Sequence, residues 1–278
     1  MKPGRPSATA LKVATGLVAL AAKPGWAERL PQGLPEMSER LLITSGARGY
    51  GPRSMALAKR PWWIGLYDAG ERLAPGMFEG VGERKIFMND QALAAIADGA
   101  RQVLVLGAGL DTLCLRLAPA HPGVQFVEID HPSTSAAKAR GASGEDPPSN
   151  FTMIAADLAE ESLAQVLSGC GAWRENATSF VVAEGLLMYL APDDVRGLFA
   201  ALTRATGAGS RVALSYLVRD AAPRWAGWTI RLIGEPWLSY GDPNDLGDYT
   251  GPGWETIAAP APHRSGQIER FAVVKRSD

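Results

Sequence analysis

Two glycines and three acids carry the chemistry this chain could do. The stretch "RQVLVLGAGLDTLCLRL" runs a buried-strand pattern into Gly107-Ala-Gly109, and "VQFVEIDHP" ends a second apolar run in Asp130 about twenty residues later. "MIAADL" places Asp157 and Leu158 after a third run, and "FVVAEGLLMYL" places Glu184 after a fourth. In an open parallel sheet the ligand crevice lies beyond the carboxyl ends of the strands, and glycine there lets the backbone approach a ligand closely. A dinucleotide site wants G-x-G-x-x-G, but here the turn reads G-A-G-L-D-T, with Thr112 in place of the third glycine. Asp111 also puts a negative charge where two phosphates would lie, a repulsion on the order of a kcal/mol or more in a partly buried site. A ligand with a sugar but no phosphate fits better.

S-adenosyl-L-methionine (SAM) is such a ligand. An acid at the tip of the second strand can accept charge-assisted hydrogen bonds from both ribose hydroxyls. The competing reading is that Asp130 caps the helix that starts after Pro132. Asp130, Asp157 and Glu184 on neighbouring strand tips would repel one another unless a cationic, donor-rich ligand offset them. SAM brings an ammonium, a sulfonium, an adenine amino group and ribose hydroxyls. A G-x-G turn with a distal acid is by itself shared with nicotinamide and flavin enzymes.

The elements that must position these residues follow from texture. From Arg101 the chain alternates strands and helices: strands at Val103–Leu106, Gln125–Ile129, Phe151–Ala155, Phe180–Ala183, Arg211–Leu217 and Ile268–Val274, and helices at Asp111–Leu117, Ser133–Arg140, Leu158–Leu167 and Pro192–Thr206. This rhythm predicts an α/β fold, a doubly wound, mostly parallel, seven-stranded Rossmann-like sheet. Residues 1–95 read as an N-terminal helical cap with loops at Pro31–Pro35, Gly46–Pro52 and Leu73–Gly82, and 96–278 as the ligand-binding core. A segment from Arg219 to Gly253 breaks the rhythm and reads as a lid insert; Trp225, Trp228 and Trp237 lie in it and Trp254 at its end.

Composition removes several classes. The 278 residues hold 28 Lys plus Arg against 29 Asp plus Glu, so there is no global electrostatic case for nucleic acid and a small molecule is the expected partner. Cys114 and Cys170 form neither a disulfide framework nor a zinc pattern, which suits a reducing, cytoplasmic setting and predicts no metal. The apolar N-terminal stretch is interrupted by Lys12 and Lys23, too short to span a bilayer; it reads as a core-facing helix ahead of a signal peptide.

Taken together, "RQVLVLGAGLDTLCLRL", "FVEIDHP", "ADL" and "AEGLLMYL" resemble, in order and separation, the motifs of the leucine carboxyl methyltransferase-like group of class I SAM-dependent methyltransferases, in particular its bacterial O-methyltransferase branch. The resemblance runs from about Gly82 to Leu202. It implies that Gly107 and Gly109 pass beneath the methionine part of SAM, that Asp130 takes the ribose, and that Asp157 accepts from the adenine amino group while the Leu158 backbone touches the ring. It implies that Glu184 binds the SAM amino group or shapes the pocket beside it. "GERKIFMND" resembles the family's basic segment, whose arginine pairs with the SAM carboxylate; Arg84 aligns with it and Lys85 competes. Tyr189 matches the family's tyrosine near the methyl group, against a reading as a core aromatic.

The expected activity is methyl transfer to an oxygen, carboxylate or hydroxyl, of a small natural-product or polyketide-type molecule. The sulfonium already activates the methyl, so alignment matters more than acid–base machinery and no general base is nominated. His121 and His131 read as surface-loop residues, and His263 lies in a C-terminal loop. The insert tryptophans offer flat walls for an aromatic acceptor, or else pack a lid onto the sheet. Protein C-terminal carboxyl methylation, a SAM-fold protein repurposed for other chemistry and an NAD-dependent dehydrogenase are the competing functions.

Overall fold

A computed structural model describes residues 6–142, 147–158, 160–219 and 236–277. Its centre is a seven-stranded sheet in the order β3-β2-β1-β4-β5-β7-β6. β1 (Gln102–Leu106), β2 (Gln125–Asp130), β3 (Phe151–Ala155), β4 (Ser179–Ala183) and β5 (Arg211–Leu217) are parallel. β7 (Glu269–Arg276) inserts antiparallel between β5 and the edge strand β6 (Trp254–Ala258). Alternation along each central strand divides the core: Leu104, Leu106, Val181 and Ala183 face one helical layer, and Val103, Val105, Phe180 and Val182 the other. Order reverses between β1 and β4, the point where doubly wound sheets open a ligand crevice.

Helices cover both faces and one end. α1 (Ala8–Ala21) is capped by the Ser7 hydroxyl, which accepts from the Ala10 N–H at 3.2 Å. Its Leu17, Ala19 and Leu20 pack with Trp26, Leu34 and Phe78, as expected of a core-facing helix. α2 (Leu34–Thr44), α3 (Pro52–Ala58) and α4 (Pro61–Leu73) complete the N-terminal layer. α5 (Glu79–Ala97) links that layer to the sheet. Gly82 admits Leu20 and Trp26 so closely that an added Cβ would stand 2.4 Å from Leu20, while Met88, Ala92 and Ala95 lie in the sheet's own core.

Several boundaries differ from the sequence expectation for identifiable reasons. The expected loop Leu73–Gly82 ends early because the buried Glu71 carboxylate accepts the N–H groups of Gly76, Phe78 and Glu79 and so starts α5 from the preceding helix. α6 (Leu113–Leu117) starts two residues late, with Asp111 accepting the Leu113 N–H. α7 (Pro132–Ala142) and α9 (Pro192–Ala205) fall close to expectation. α8 (Leu163–Ser168) is shorter than the predicted Leu158–Leu167, because a Ser162/Gln165 capping box sets its start.

β6 is the seventh strand of the expected sheet, and the sequence reading did not locate it. Only Trp254 of its five residues is buried, so it lacks the apolar run that marks a buried strand. Trp254 belongs to the sheet, packed edge-on against Phe199 of α9 at 5.6 Å, and not to a lid. Of the other tryptophans, Trp237 packs beside Met188, Leu217 and Ile268, and Trp225 and Trp228 lie outside the described residues.

Candidate functional site

The carboxyl ends of the strands open into a cavity of about 530 Å³. Arg84, Gly107, Gly109, Asp130, Asp157, Leu158, Glu184 and Tyr189 all line it, and so does Lys85. Folding therefore converges every residue nominated from the sequence. α1 forms the roof through Ala10, Val13, Ala14 and Leu17.

The glycine turn is left-handed, with φ of 61° at Gly107 and 55° at Gly109, a conformation that favours glycine. A Cβ on Gly107 would lie 3.1 Å from Leu186, and one on Gly109 would lie 3.1 Å from Ala10. The second glycine thus admits the roof helix as well as shaping the floor.

Asp130 closes onto that turn from the tip of β2. Its carboxylate accepts the Gly109 N–H and, at 2.6 Å, the His131 N–H. Burial pushes its carboxyl up, and those two donors offset part of the rise. The capping reading of Asp130 gives way to a neighbour: His131 Nδ1 accepts the Ser133 N–H at 3.2 Å at the start of α7. The other ring nitrogen, Nε2, lies 3.5 Å from Asp157 Oδ2. His131 lines the cavity and is not a surface-loop residue. Its place directly after a strand-tip acid was the signal available. His121 and His263 lie elsewhere; His263 pairs with Glu83 at 2.7 Å.

Two buried cations on α5 meet three carboxylates. Arg84 Nε donates to Glu184 Oε1 at 2.9 Å, and its Nη1 to both oxygens of Glu269 at 2.7 and 2.8 Å. Lys85 Nζ pairs with Asp111 and, at 2.7 Å, with Glu184. Burial opposes the charge on Arg84, but Glu269 and Glu184 outweigh it and hold the guanidinium ionised. Burial likewise disfavours charged Lys85, and Asp111 and Glu184 reverse the effect. Burial pushes Asp111 up, yet Lys85 beside it and Lys138 behind it hold its carboxyl well below the usual range. Asp111 is therefore not the bare charge that the sequence pattern suggests, because Lys85 neutralises it. Glu269, at the start of β7, was missed: nothing near it in the chain marks it, and it reaches Arg84 across 185 positions. Glu184 keeps its second oxygen, Oε2, buried and without a hydrogen bond.

Among the described residues no cluster of three or more His, Cys, Asp or Glu side chains could hold a metal ion, and no helix is long and apolar enough to cross a membrane.

Comparison with known proteins bears on this arrangement. The profile of the leucine carboxyl methyltransferase family matches residues 39–203. A protein of Mycolicibacterium gilvum, provisionally named an S-adenosyl-L-methionine-dependent methyltransferase, is 33% identical over 189 residues, 66% of this chain and 60% of that protein. A Mycobacterium bovis protein with the same provisional name is 30% identical over 236 residues, 74% of this chain and 67% of its own length. The chain thus spans less than two thirds of the first of these relatives. Among solved structures, a protein of Thermobifida fusca provisionally described as a methyltransferase superposes with a TM-score of 0.61 at 19% identity, covering 92% of this chain and 98% of that one. A DUF574 family protein of Streptomyces avermitilis gives 0.60 at 18% identity, covering 87% and 97%. At such identities the likeness establishes the fold. Because the family profile matches more than half of the chain, the chain belongs to the leucine carboxyl methyltransferase family.

Proposed function

We propose that this chain is a SAM-dependent methyltransferase that delivers a methyl group to an oxygen of a small apolar molecule. One observation carries the reading: a left-handed glycine turn after β1 and acids from the tips of β3, β2 and β4 share one cavity whose two cations are already outnumbered by carboxylates. Such a cavity attracts a ligand with net positive charge and many donors. SAM, with a zwitterionic end and a sulfonium, meets that requirement and supplies an activated methyl when bound.

Each residue then has a task. Asp130 accepts the ribose hydroxyls, and Asp157 and Leu158 flank the adenine. Glu184 Oε2, buried without a partner, accepts from the ammonium. Arg84 uses Nε and Nη1 for Glu184 and Glu269, which leaves Nη2 for the SAM carboxylate. Tyr189 borders the methyl end. α1 and Leu186 exclude water from above the turn.

A dinucleotide fits less well. The Gly109 N–H, a donor that pyrophosphate would need at this turn, is spent on Asp130, and Lys85 is spent on Asp111 and Glu184. The cytoplasmic setting and the natural-product acceptor belong to the same proposal, supported by the unpaired cysteines and by the apolar cluster of Met188, Leu217 and Ile268 beside the cavity. Titrating the full chain with SAM and with NAD, then measuring S-adenosylhomocysteine (SAH) release over a panel of phenols, alcohols, carboxylic acids and a peptide ending in leucine, tests the reading. SAM binding with SAH release on a small hydroxyl or carboxyl acceptor is expected. NAD binding without SAM binding overturns it, as does SAM binding with no turnover on any acceptor.

A further inference from the structure

Strand order divides the cavity into two ends. β3, β2, β1 and β4 bring Asp157, Asp130, the glycine turn and Glu184, whereas β5 and β7 bring Leu217 and Glu269, which face each other in the antiparallel register. Strands stand ~4.8 Å apart, so the β7 backbone lies roughly 10 Å beyond that of β4, and the Arg84 guanidinium bridges the Glu184 and Glu269 carboxylates across that gap. That far end is apolar: Met188, Leu217 and Ile268 form one buried cluster, with Tyr189 and Trp237 packed on it. Glu269 is the carboxylate at this end, only 13% exposed and gripped by Arg84. Arg84 divides its charge between Glu269 and Glu184, and Lys85 between Asp111 and Glu184. Among the described residues lining the cavity, no further lysine or arginine awaits an incoming anion.

Resting on the methyltransferase reading, we propose that Glu269 is a specificity-determining residue of the acceptor end, selecting an aromatic-sized apolar acceptor with an uncharged hydroxyl and rejecting carboxylates of the same shape. A hydroxyl donates a hydrogen bond to the Glu269 carboxylate, which Arg84 holds in place. A carboxylate would face Glu269 in a water-poor, apolar setting, where like charges repel far more strongly than in water. Shape does not distinguish the two acceptors; charge does.

The test uses the full chain saturated with SAH and a matched pair of probes, 2-naphthol and 2-naphthoic acid, titrated calorimetrically at neutral pH. SAH binding is measured first, so that failure of the cofactor reading is seen separately; it would take this inference with it. With SAH bound, 2-naphthol is expected to bind at least about ten-fold more tightly than 2-naphthoate. Glu269→Gln, which keeps size and removes charge, should narrow the preference to roughly three-fold or less, chiefly by strengthening naphthoate binding now that Arg84 has one carboxylate fewer. Equal or tighter naphthoate binding by the unaltered chain overturns the proposal, and that comparison needs no variant to fold. An unchanged preference in folded Glu269→Gln overturns it too, as does failure of both probes to bind while SAH binds.

Discussion

Asp130→Ala measures how much of cofactor binding rests on the tip of β2. The Asp130 carboxylate faces the cavity and accepts the N–H groups of Gly109 and His131. Hydrogen bonds to a charged group contribute about 1.5–3 kcal/mol each, and the ribose offers two hydroxyls. Water replaces part of what alanine removes at this half-buried position, so we expect a net loss of about 1.5–3 kcal/mol, roughly ten-fold to a hundred-fold in Kd. Asp130→Asn keeps an acceptor for Gly109 without the charge and should fall between. Titration adds an internal check. Burial raises the Asp130 carboxyl above its unfolded value, so the ionised form costs folding stability. Between the ordinary aspartate range and the raised value, the stability of the ligand-free chain should increase through this group as pH falls, while SAM affinity, which needs the carboxylate, should decrease. Calorimetric titration of SAM across pH, paired with thermal unfolding, reads both slopes. A folded Asp130→Ala chain whose SAM curve superimposes on that of the unaltered chain would refute the assignment of the β2 tip.

Three further outcomes follow from the same geometry. Gly107→Val forces a β-branched residue into φ of 61° with Leu186 3.1 Å from its Cβ; SAM binding should weaken by about ten-fold or more, together with a lower Tm, and an unchanged Tm and titration would contradict the turn geometry. Asp111→Asn breaks a buried ion pair and should cost about 3 kcal/mol in denaturant unfolding. Because the folded Asp111 carboxyl lies below its unfolded value, its contribution is present above the ordinary aspartate range and lost as pH falls through that range toward the folded value; the variant should show a flatter acid limb. Trp254→Ala empties a buried site against Phe199 and should cost about 3–5 kcal/mol while leaving the Kd for SAM unchanged, whereas a change in Kd at constant fold would return Trp254 to the ligand cavity.

What was legible from the chain alone was whatever neighbouring residues encode. Buried strands announce themselves as apolar runs, their tips as glycine or acid, and the βα alternation orders those tips along one edge; Gly107, Gly109, Asp130, Asp157, Leu158 and Glu184 therefore converge in the fold as their spacing predicts. Arg84 and Lys85 were legible only as a pair of cations near the site. Their partners were decided by tertiary structure. Glu269 comes from a strand that enters antiparallel between β5 and β6, and no local period specifies which distant edge such a strand will join. β6 carries one buried residue in five and is held in place by β7 and α9 rather than by its own pattern. His131 gains its meaning from Asp157 on the next strand, and Gly109 from Ala10 on a helix that precedes it by about a hundred residues. Hydrophobic periodicity and turn chemistry act over a few residues and fixed the β1–β5 frame; the charge balance of the cavity depends on side chains brought together from β4, β7, α5 and the glycine turn, and became readable only once the chain was packed.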